Sequence, residues 1–357
     1  MEDMGTLRDF YNNKRVFITG HTGFKGSWLC EVLLNFGADV GGYALAPSES
    51  ENLFDLLGLS ERITHYTGDI RDREKLIEAV KEFQPEIVIH MAAQPLVLTS
   101  YQRPAYTYEV NVIGTVNILE AVRECPSVKS FLNVTTDKVY LNREWVYGYR
   151  ENEELCGYDP YSNSKSCSEL VTYSYKHSFF EAPDSPAIST ARSGNVIGGG
   201  DFAENRIIPD CMRSALKGEN IILRNPDSVR PYQHVLECLN GYMLLCMKQY
   251  QDKDIYSGSY NFGPDDSSCV STETLAGIFC AAWGRGIKAE IQEASGAKPH
   301  EADILRLDCA KAKSVLGWRP EWDITRAVGE VVDWLKVYAS KGDIRSYMDE
   351  QITGRQW

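Results

Sequence analysis

The sequence lacks a long apolar run and lacks an excess of positive charge. No window approaches the 18 or so uncharged apolar residues that a membrane-spanning helix requires. Residues 1–15 are polar and lack the apolar stretch of a secretory signal, so we expect a cytoplasmic protein. Lysine and arginine number 37 against 50 acidic residues, a net charge of −13. This excess makes nucleic acid and anionic membranes poor candidate partners.

The ten cysteines lack the spacing of a metal site. They are scattered, no CxxC pair occurs, and no cysteine–histidine cluster has zinc spacing. We therefore expect no metal and reduced, mostly buried thiols. Internal repeats and low-complexity segments are also missing. A chain of 357 residues with 43% hydrophobic content allows one large α/β domain or two closely joined ones.

What the sequence does have is an alternation of β-rich runs and helical patterns. The runs are at 15–19, 40–45, 63–67, 86–91, 130–135 and 189–192, and the helical patterns at 27–36, 73–83, 110–124 and 162–180. This alternation predicts a Rossmann-type α/β fold, a doubly wound parallel sheet with helices on both faces. The pattern fades after about residue 199. We therefore predict a Rossmann domain over 1–196 and a smaller C-terminal region over 197–357, with segments that can interleave.

Three glycines lie between the first strand and the first long helix. Gly20, Gly23 and Gly26 have GxxGxxG spacing, and such a turn lets the backbone approach a pyrophosphate at the amino end of a helix. The acidic residue that usually follows the second strand and holds a ribose is absent, since Asp39 is placed before that strand. Both NAD and NADP therefore stay open. Asp69, after the third strand, either reaches the adenine or caps a turn.

A tyrosine and a lysine are four residues apart near the start of the predicted long helix. Tyr161 and Lys165 would share one face of that helix. A tyrosine acting as a base at neutral pH needs its pKa lowered by about 3 units from about 10. A fixed ammonium group one turn away favours the phenolate, as does a positively charged cofactor. A surface pair on an ordinary helix is the alternative, and the glycine turn argues against it.

The chain resembles the extended short-chain dehydrogenase/reductase family over about residues 14–340. The residues that carry the resemblance are the three glycines of the turn, the Tyr161/Lys165 pair, Asp69, Ala92-Ala93 and Asn111. Within this family, the chain is similar to the nucleotide-sugar dehydratases and epimerases. The resemblance implies that residues 1–196 bind NAD, with NADP not excluded, and that the protein forms a homodimer or homotetramer. The implied cofactor-binding residues are Gly20, Thr22, Gly23, Phe24, Gly26, Asp69, Ile70, Ala92, Ala93, Tyr161 and Lys165.

The branch within the family depends on Thr136-Asp137-Lys138, at the end of a predicted central strand. The dTDP-glucose 4,6-dehydratases have a glutamate in the third position. With the stretches 20–28 and 305–311, the chain most resembles the CDP-glucose 4,6-dehydratases, whose products feed deoxysugar and surface-polysaccharide synthesis. A dehydratase of dTDP- or GDP-hexoses, a nucleotide-sugar 4-epimerase and a non-catalytic nucleotide-sensing module are the alternatives. Asp137 and Lys138 could also form only a loop-edge ion pair.

The reaction that the resemblance implies assigns a role to each residue. Tyr161 takes the proton of the sugar 4-hydroxyl, and Lys165 holds the cofactor ribose and lowers the pKa of Tyr161. Thr136 hydrogen-bonds the 4-oxygen, and Asp137 donates a proton to the departing 6-hydroxyl. Lys138 either removes the C5 proton, which requires a neutral amine, or orients its neighbours.

The substrate-binding residues implied by the resemblance lie in the second half of the chain. They are Asn195 and Arg230 at the sugar diphosphate, with His300 near the nucleotide. An arginine fork suits phosphate oxygens and offsets the acidic charge of the chain as a whole.

Overall fold

The computed structural model describes residues 6–47, 50–292 and 305–357. The strands are β1 (Arg15–Thr19), β2 (Asp39–Ala44), β3 (Thr64–Thr67), β4 (Ile87–His90), β5 (Ser130–Val134), β6 (Ala187–Arg192), β7 (Val196–Ile197), β8 (Ile221–Leu223), β9 (Val229–Pro231), β10 (Gln233–His234), β11 (Ser259–Asn261), β12 (Cys269–Ser271) and β13 (Ala289–Ile291).

The α-helices are α1 (Leu7–Tyr11), α2 (Phe24–Asn35), α3 (Leu53–Leu56), α4 (Arg73–Phe83), α5 (Val97–Gln102), α6 (Pro104–Tyr108), α7 (Gly114–Arg123), α8 (Pro160–Phe179), α9 (Ile207–Lys217), α10 (Val235–Gln251), α11 (Lys253–Tyr256), α12 (Thr272–Trp283), α13 (Ile324–Ala339) and α14 (Ile344–Thr353). Short 3₁₀ turns cover Leu59–Glu61, Asp137–Val139 and Asp266–Ser268, and π-helical turns cover Glu109–Ile113 and Ala312–Leu316.

A seven-stranded parallel sheet forms the centre of the fold, in the order β11-β6-β5-β4-β1-β2-β3. The chain runs outward from β1 through β2 to β3 and then returns to β4 on the other side of β1. The order therefore reverses between β1 and β4, and a crevice opens beyond the carboxyl ends of these strands. The predicted doubly wound parallel sheet is confirmed.

The alternation of side chains along the strands builds two cores, one on each face of the sheet. Val16 and Ile18 of β1 point into the core that contains Trp28 of α2, whereas Phe17 points into the opposite core with Val80 of α4. All five side chains are fully buried. Because both faces are covered, the strands read as continuous apolar runs rather than as alternating ones.

Helix α4 shows how local sequence sets the elements. The Asp72 side chain accepts a hydrogen bond from the backbone N of Lys75 and caps the amino end of the helix. Leu76, Val80 and Phe83 recur at helical spacing on the buried face. The predicted bounds of 73–83 are those of the structure.

Two other predictions differ from the structure. The helix predicted over 110–124 is a π-helical turn, Glu109–Ile113, followed by α7. Asp39 is the first residue of β2 rather than a turn residue before it, and its carboxylate pairs with Arg15 across the strands at 2.7 Å.

The part of the chain after residue 197 is not separate from the sheet. Strand β11 pairs with β6 at the sheet edge, and Ser130 of β5 donates a hydrogen bond to the carbonyl of Cys246 in α10 at 3.1 Å. The remaining strands of this part form small pairs, β7 with β10, β8 with β13, and β9 with β12. In the described parts of the chain, no helix has the length and apolarity needed to cross a membrane.

Candidate active site

One cavity of about 1560 Å³ lies over the carboxyl ends of the central strands. This volume exceeds the roughly 300–1,000 Å³ of a site for one small ligand, so it can hold two ligands side by side. Every predicted site residue that the structure describes lines it: Gly20, Thr22, Gly23, Phe24, Gly26, Asp69, Ile70, Ala92, Ala93, Thr136, Asp137, Lys138, Tyr161, Lys165, Asn195 and Arg230. His300, the other predicted residue, lies outside the described residues.

The glycine turn connects β1 to α2 at one end of this cavity. Gly20 has a positive φ of 79°, and a Cβ there would lie 2.7 Å from the backbone N of Ala92. A Cβ on Gly26 would lie 2.3 Å from the Gly20 carbonyl oxygen, whereas Gly23 has no neighbour closer than 3.5 Å. Gly23 caps α2 without a side-chain hydrogen bond. The amide groups of the first helical turn are therefore free to bind the phosphates of a dinucleotide, and the turn fits such a cofactor.

Asp69 lies at the cavity wall beyond β3, but its carboxylate is engaged locally. It accepts from the guanidinium of Arg71 at 2.7 Å and from the Arg71 backbone N at 2.9 Å. The hydrogen bonds from Arg71 hold the pKa of Asp69 below its usual value. The side chain thus closes a turn, as one of the two sequence interpretations has it, and its contact with the adenine stays a prediction.

Helix α8 positions Tyr161 and Lys165. Asp159 caps the helix by accepting from the backbone N of Ser162 at 3.0 Å, and Pro160 occupies the first turn. This start places Tyr161 at the cavity and Lys165 one turn deeper, where it is 4% exposed. The Lys165 ammonium donates to the backbone carbonyl of Val134 in β5 at 3.2 Å.

The expected lowering of the Tyr161 pKa by Lys165 is not found in the protein alone. Burial raises the pKa of Tyr161 to about 12, and its interaction with the Thr136 side chain opposes this rise. Burial also lowers the pKa of Lys165 to about 8. The ammonium of Lys165 donates its hydrogen bond to Val134, and desolvation is the largest influence on the pKa of Tyr161.

Asp137 is 1% exposed at the end of β5, and one of its oxygens is available for a ligand. Its Oδ1 accepts from the Thr136 hydroxyl at 3.0 Å, while Oδ2 is buried with no hydrogen-bond partner among the described residues. A Cβ on Gly194 would lie only 1.8 Å from this Oδ2. Gly194 therefore makes the space that the carboxylate occupies, and a buried unpaired oxygen of this kind is costly unless a ligand completes it.

The Lys138 side chain is half-buried, and it does not form the loop-edge ion pair with Asp137 that the sequence left open. Its backbone N donates to the Thr136 hydroxyl at 3.4 Å, and no ion pair between Lys138 and a described carboxylate is present. The interpretation of Asp137 and Lys138 as an ion pair is therefore wrong for the described residues. The ammonium is free to meet a ligand in the cavity.

The other end of the cavity carries groups suited to an anionic ligand. Asn195 has a positive φ of 45°, and its Nδ2 donor is buried without a partner in the described chain. Arg230 is 5% exposed and donates to the carbonyl of Val229 at 2.8 Å. Both line the cavity, as does Arg206 at the amino end of α9. These donors are the kind that recognise phosphate and sugar oxygens.

A family described as GDP-mannose 4,6 dehydratase matches residues 17–331, which is most of the chain. The chain belongs to this family. The CDP-glucose 4,6-dehydratase of Salmonella typhimurium is 46% identical over 353 residues, covering 96% of this chain and 98% of that protein. The predicted membership of the nucleotide-sugar dehydratase branch is confirmed.

Solved structures that share the fold of this chain include two complexes with NAD. The UDP-glucose 4-epimerase of Thermus thermophilus has a TM-score of 0.76 and 25% identity, covering 90% of this chain and 99% of that one. The dTDP-glucose 4,6-dehydratase of Bacillus anthracis has a TM-score of 0.74 and 22% identity, covering 90% and 96%. The second likeness concerns the fold alone.

Sequence reasoning missed two residues of this site. Gly194 lies in the stretch Arg192-Ser-Gly-Asn195, which was noted for its asparagine only. Lys25 lies between two glycines of the turn and also lines the cavity, where burial lowers its pKa and the charge of Asp137 opposes this effect. Lys25 is the only lysine, arginine or acidic residue in the stretch 20–26, and this isolated charge is the signal in the sequence that points to it.

Proposed function

We propose that the protein is a CDP-glucose 4,6-dehydratase that converts CDP-D-glucose to CDP-4-keto-6-deoxy-D-glucose. The buried, unpartnered Oδ2 of Asp137 beside Thr136 and Tyr161 carries the proposal. An epimerase needs no acid for a leaving hydroxyl, whereas a dehydratase does. The 46% identity to the Salmonella enzyme supports cytidine as the nucleoside.

The cofactor that fits the glycine turn is NAD. Where β2 ends, the described lining residues Tyr43, Ala44 and Leu45 carry no positive charge for a 2′-phosphate. NAD, when bound, would supply the acceptor for the hydride that leaves sugar C4 and the donor of that hydride to C6. The uncapped amino end of α2 would hold its phosphates, and Tyr161 and Lys165 would face its reactive end.

The residues of the chain move the protons of this reaction. Tyr161 removes the proton of the 4-hydroxyl, and the Thr136 hydroxyl, within reach of the phenol, holds the 4-oxygen. The 4-ketone that forms acidifies the C5 hydrogen. Asp137, in its protonated form, gives its proton to the 6-hydroxyl, which leaves as water, and Asp137 becomes a carboxylate. Lys138 either removes the C5 proton as a neutral amine or orients the sugar ring.

The diphosphate of the substrate would be held by the donors at the far end of the cavity. Arg230 and the free Nδ2 of Asn195 supply charge and hydrogen bonds there. We keep His300 as a candidate contact to the nucleotide. The exposed apolar side chains Leu170, Tyr173 and Phe179 on α8 support a homo-oligomer, either a dimer or a tetramer. We place the enzyme in the cytoplasm, where its ten free cysteines stay reduced.

Incubation of the purified protein with NAD and single nucleotide sugars tests the proposal. CDP-glucose should give a product with the alkaline absorbance of a 4-keto sugar, and dTDP-glucose and GDP-mannose should give far less. The Asp137→Asn variant should give little of this product, because the amide cannot protonate the leaving hydroxyl. A preference for dTDP-glucose or GDP-mannose, or a product that is the C4 epimer, would overturn it.

A further inference from the structure

Glu169 lies one turn beyond Lys165 on α8 and is 3% exposed. Its Oε1 accepts from the Thr135 hydroxyl at 2.5 Å and from Arg192 Nε at 2.9 Å. Its Oε2 accepts from the Thr190 hydroxyl at 2.7 Å and from Arg192 Nη2 at 2.9 Å. Burial would raise the pKa of Glu169, but Arg192 and the two hydroxyls hold it below its usual value, so the group is a carboxylate.

This carboxylate joins the three segments that form the reaction centre. Glu169 belongs to the helix of Tyr161 and Lys165. Thr135 directly precedes Thr136 and Asp137 at the end of β5, and Arg192 ends β6 just before Gly194. The bidentate Arg192–Glu169 pair, 2% exposed on each side, therefore fixes the ends of β5 and β6 against α8.

Glu169 also supplies the negative charge that Lys165 otherwise lacks. In the described chain, Lys165 forms no ion pair and donates one hydrogen bond, to Val134. Lys25 faces it from α2 with a like charge, and His90 of β4 is neutral because burial lowers its pKa to about 3. Burial and Lys25 lower the pKa of Lys165, and Glu169 opposes both.

We propose that Glu169 is a positioning residue that keeps the buried Lys165 ammonium protonated while it holds the ends of β5 and β6 against α8. Glu169 acts on Lys165 through its charge alone, and on Arg192, Thr135 and Thr190 through hydrogen bonds as well.

The pH dependence follows from the sign of each charge. Lys165 is charged below its pKa of about 8 and loses its charge as the pH rises through that value. Without the negative charge of Glu169 the pKa falls, so the ammonium is lost at a lower pH. The alkaline limb of the activity profile should then move to lower pH in the same variant. The proposal rests on the proposed function only for this second readout.

The test is titration of Lys165 by NMR in protein labelled with ¹³Cε-lysine, assigned by the loss of its signal in Lys165→Arg. In Glu169→Gln, the midpoint should fall by about one pH unit or more, as expected for removing a neighbouring charge from a buried site. Glu169→Gln/Arg192→Gln removes both charges of the pair and leaves no unpaired buried guanidinium, so its midpoint should still fall, but by less; this covers the case in which the single variant does not fold.

Glu181→Gln, an exposed acid just beyond the same helix, is the matched control and should leave the midpoint unchanged. An unchanged Lys165 midpoint in a folded Glu169 variant would overturn the proposal, even if activity were lost. Absence of turnover with CDP-glucose in the unmodified protein would instead refute the proposed function, and the titration would still decide the role of Glu169.

Discussion

At the scale of single residues, the phenol of Tyr161 is the group on which the chemistry depends most. We expect Tyr161→Phe to keep the fold and lower turnover by about 10²–10⁴-fold, the usual worth of general-base catalysis. The rate of 4-keto sugar formation measures this. Tyr173→Phe, on an exposed turn of the same helix, is the control and should keep normal turnover. Near-normal turnover of Tyr161→Phe would remove this residue from the mechanism.

Lys138 has two candidate roles, removal of the C5 proton and orientation of the sugar, and two measurements on one variant distinguish them. If it removes the C5 proton, Lys138→Ala should slow exchange of the C5 hydrogen with solvent more than it slows oxidation at C4. Both rates can be followed by NMR and by absorbance on the same sample. Equal slowing of both steps would assign Lys138 to orienting the sugar instead.

At the scale of elements, Asp137 after β5 packs against Gly194 after β6, and the space between them is too small for a side chain at position 194. Gly194→Ala would place a Cβ 1.8 Å from Asp137 Oδ2, so the carboxylate must move. We expect a loss of turnover of at least about 10²-fold, because the acid would no longer reach the 6-hydroxyl.

Gly277→Ala in α12 is the control for this change, since a Cβ there meets nothing within 4 Å. It should retain activity and gain about 0.4–1 kcal/mol in the free energy of unfolding. Equal activity of the two variants would show that Asp137 does not need the space at Gly194.

Local patterns carry most of what the sequence predicts at this scale. The cap at Asp72 and the spacing of Leu76, Val80 and Phe83 define α4, because a helix is specified by neighbours in the chain. The glycines at 20, 23 and 26 predict the tight turn between β1 and α2 for the same reason. The Tyr161–Lys165 spacing correctly places both residues on one helix at one cavity.

Contacts between distant segments are what the sequence could not predict. The fit of Gly194 to Asp137 joins residues 57 positions apart (194 − 137) and depends on the pairing of β5 with β6. The direction of Lys165 toward Val134 and the desolvation that raises the pKa of Tyr161 both depend on how deeply α8 is buried against the sheet. The spacing of residues along a helix predicts neither the fit of Gly194 to Asp137 nor the depth at which α8 is buried.

At the scale of the whole molecule, a buried ion pair ties the carboxyl-terminal segment to the core. Arg355 Nη2 donates to Glu237 Oε2 at 3.0 Å, and both side chains are at most 2% exposed. Glu237 also accepts from the backbone N of Glu321 and of Trp322, at 2.9 and 3.1 Å. One carboxylate on α10 thus holds two separate stretches of the last forty residues in place.

Arg355→Met should cost about 3–5 kcal/mol, because it leaves the buried Glu237 without its partner. We expect the Tm, measured by calorimetry, to fall by roughly 5 °C or more. Arg319→Met, at an exposed position, should change it little. An unchanged Tm in Arg355→Met would mean that the carboxyl-terminal segment is held by apolar packing alone.

The measurement that tests the dehydratase most directly follows one hydrogen through the whole reaction. CDP-glucose deuterated at C4 is converted by the purified protein, and the product is examined by NMR. We predict deuterium at C6 and solvent hydrogen at C5, because one hydride moves within the sugar while the C5 proton passes through an exchangeable side chain. Deuterium retained at C4, or released to solvent, would contradict the account.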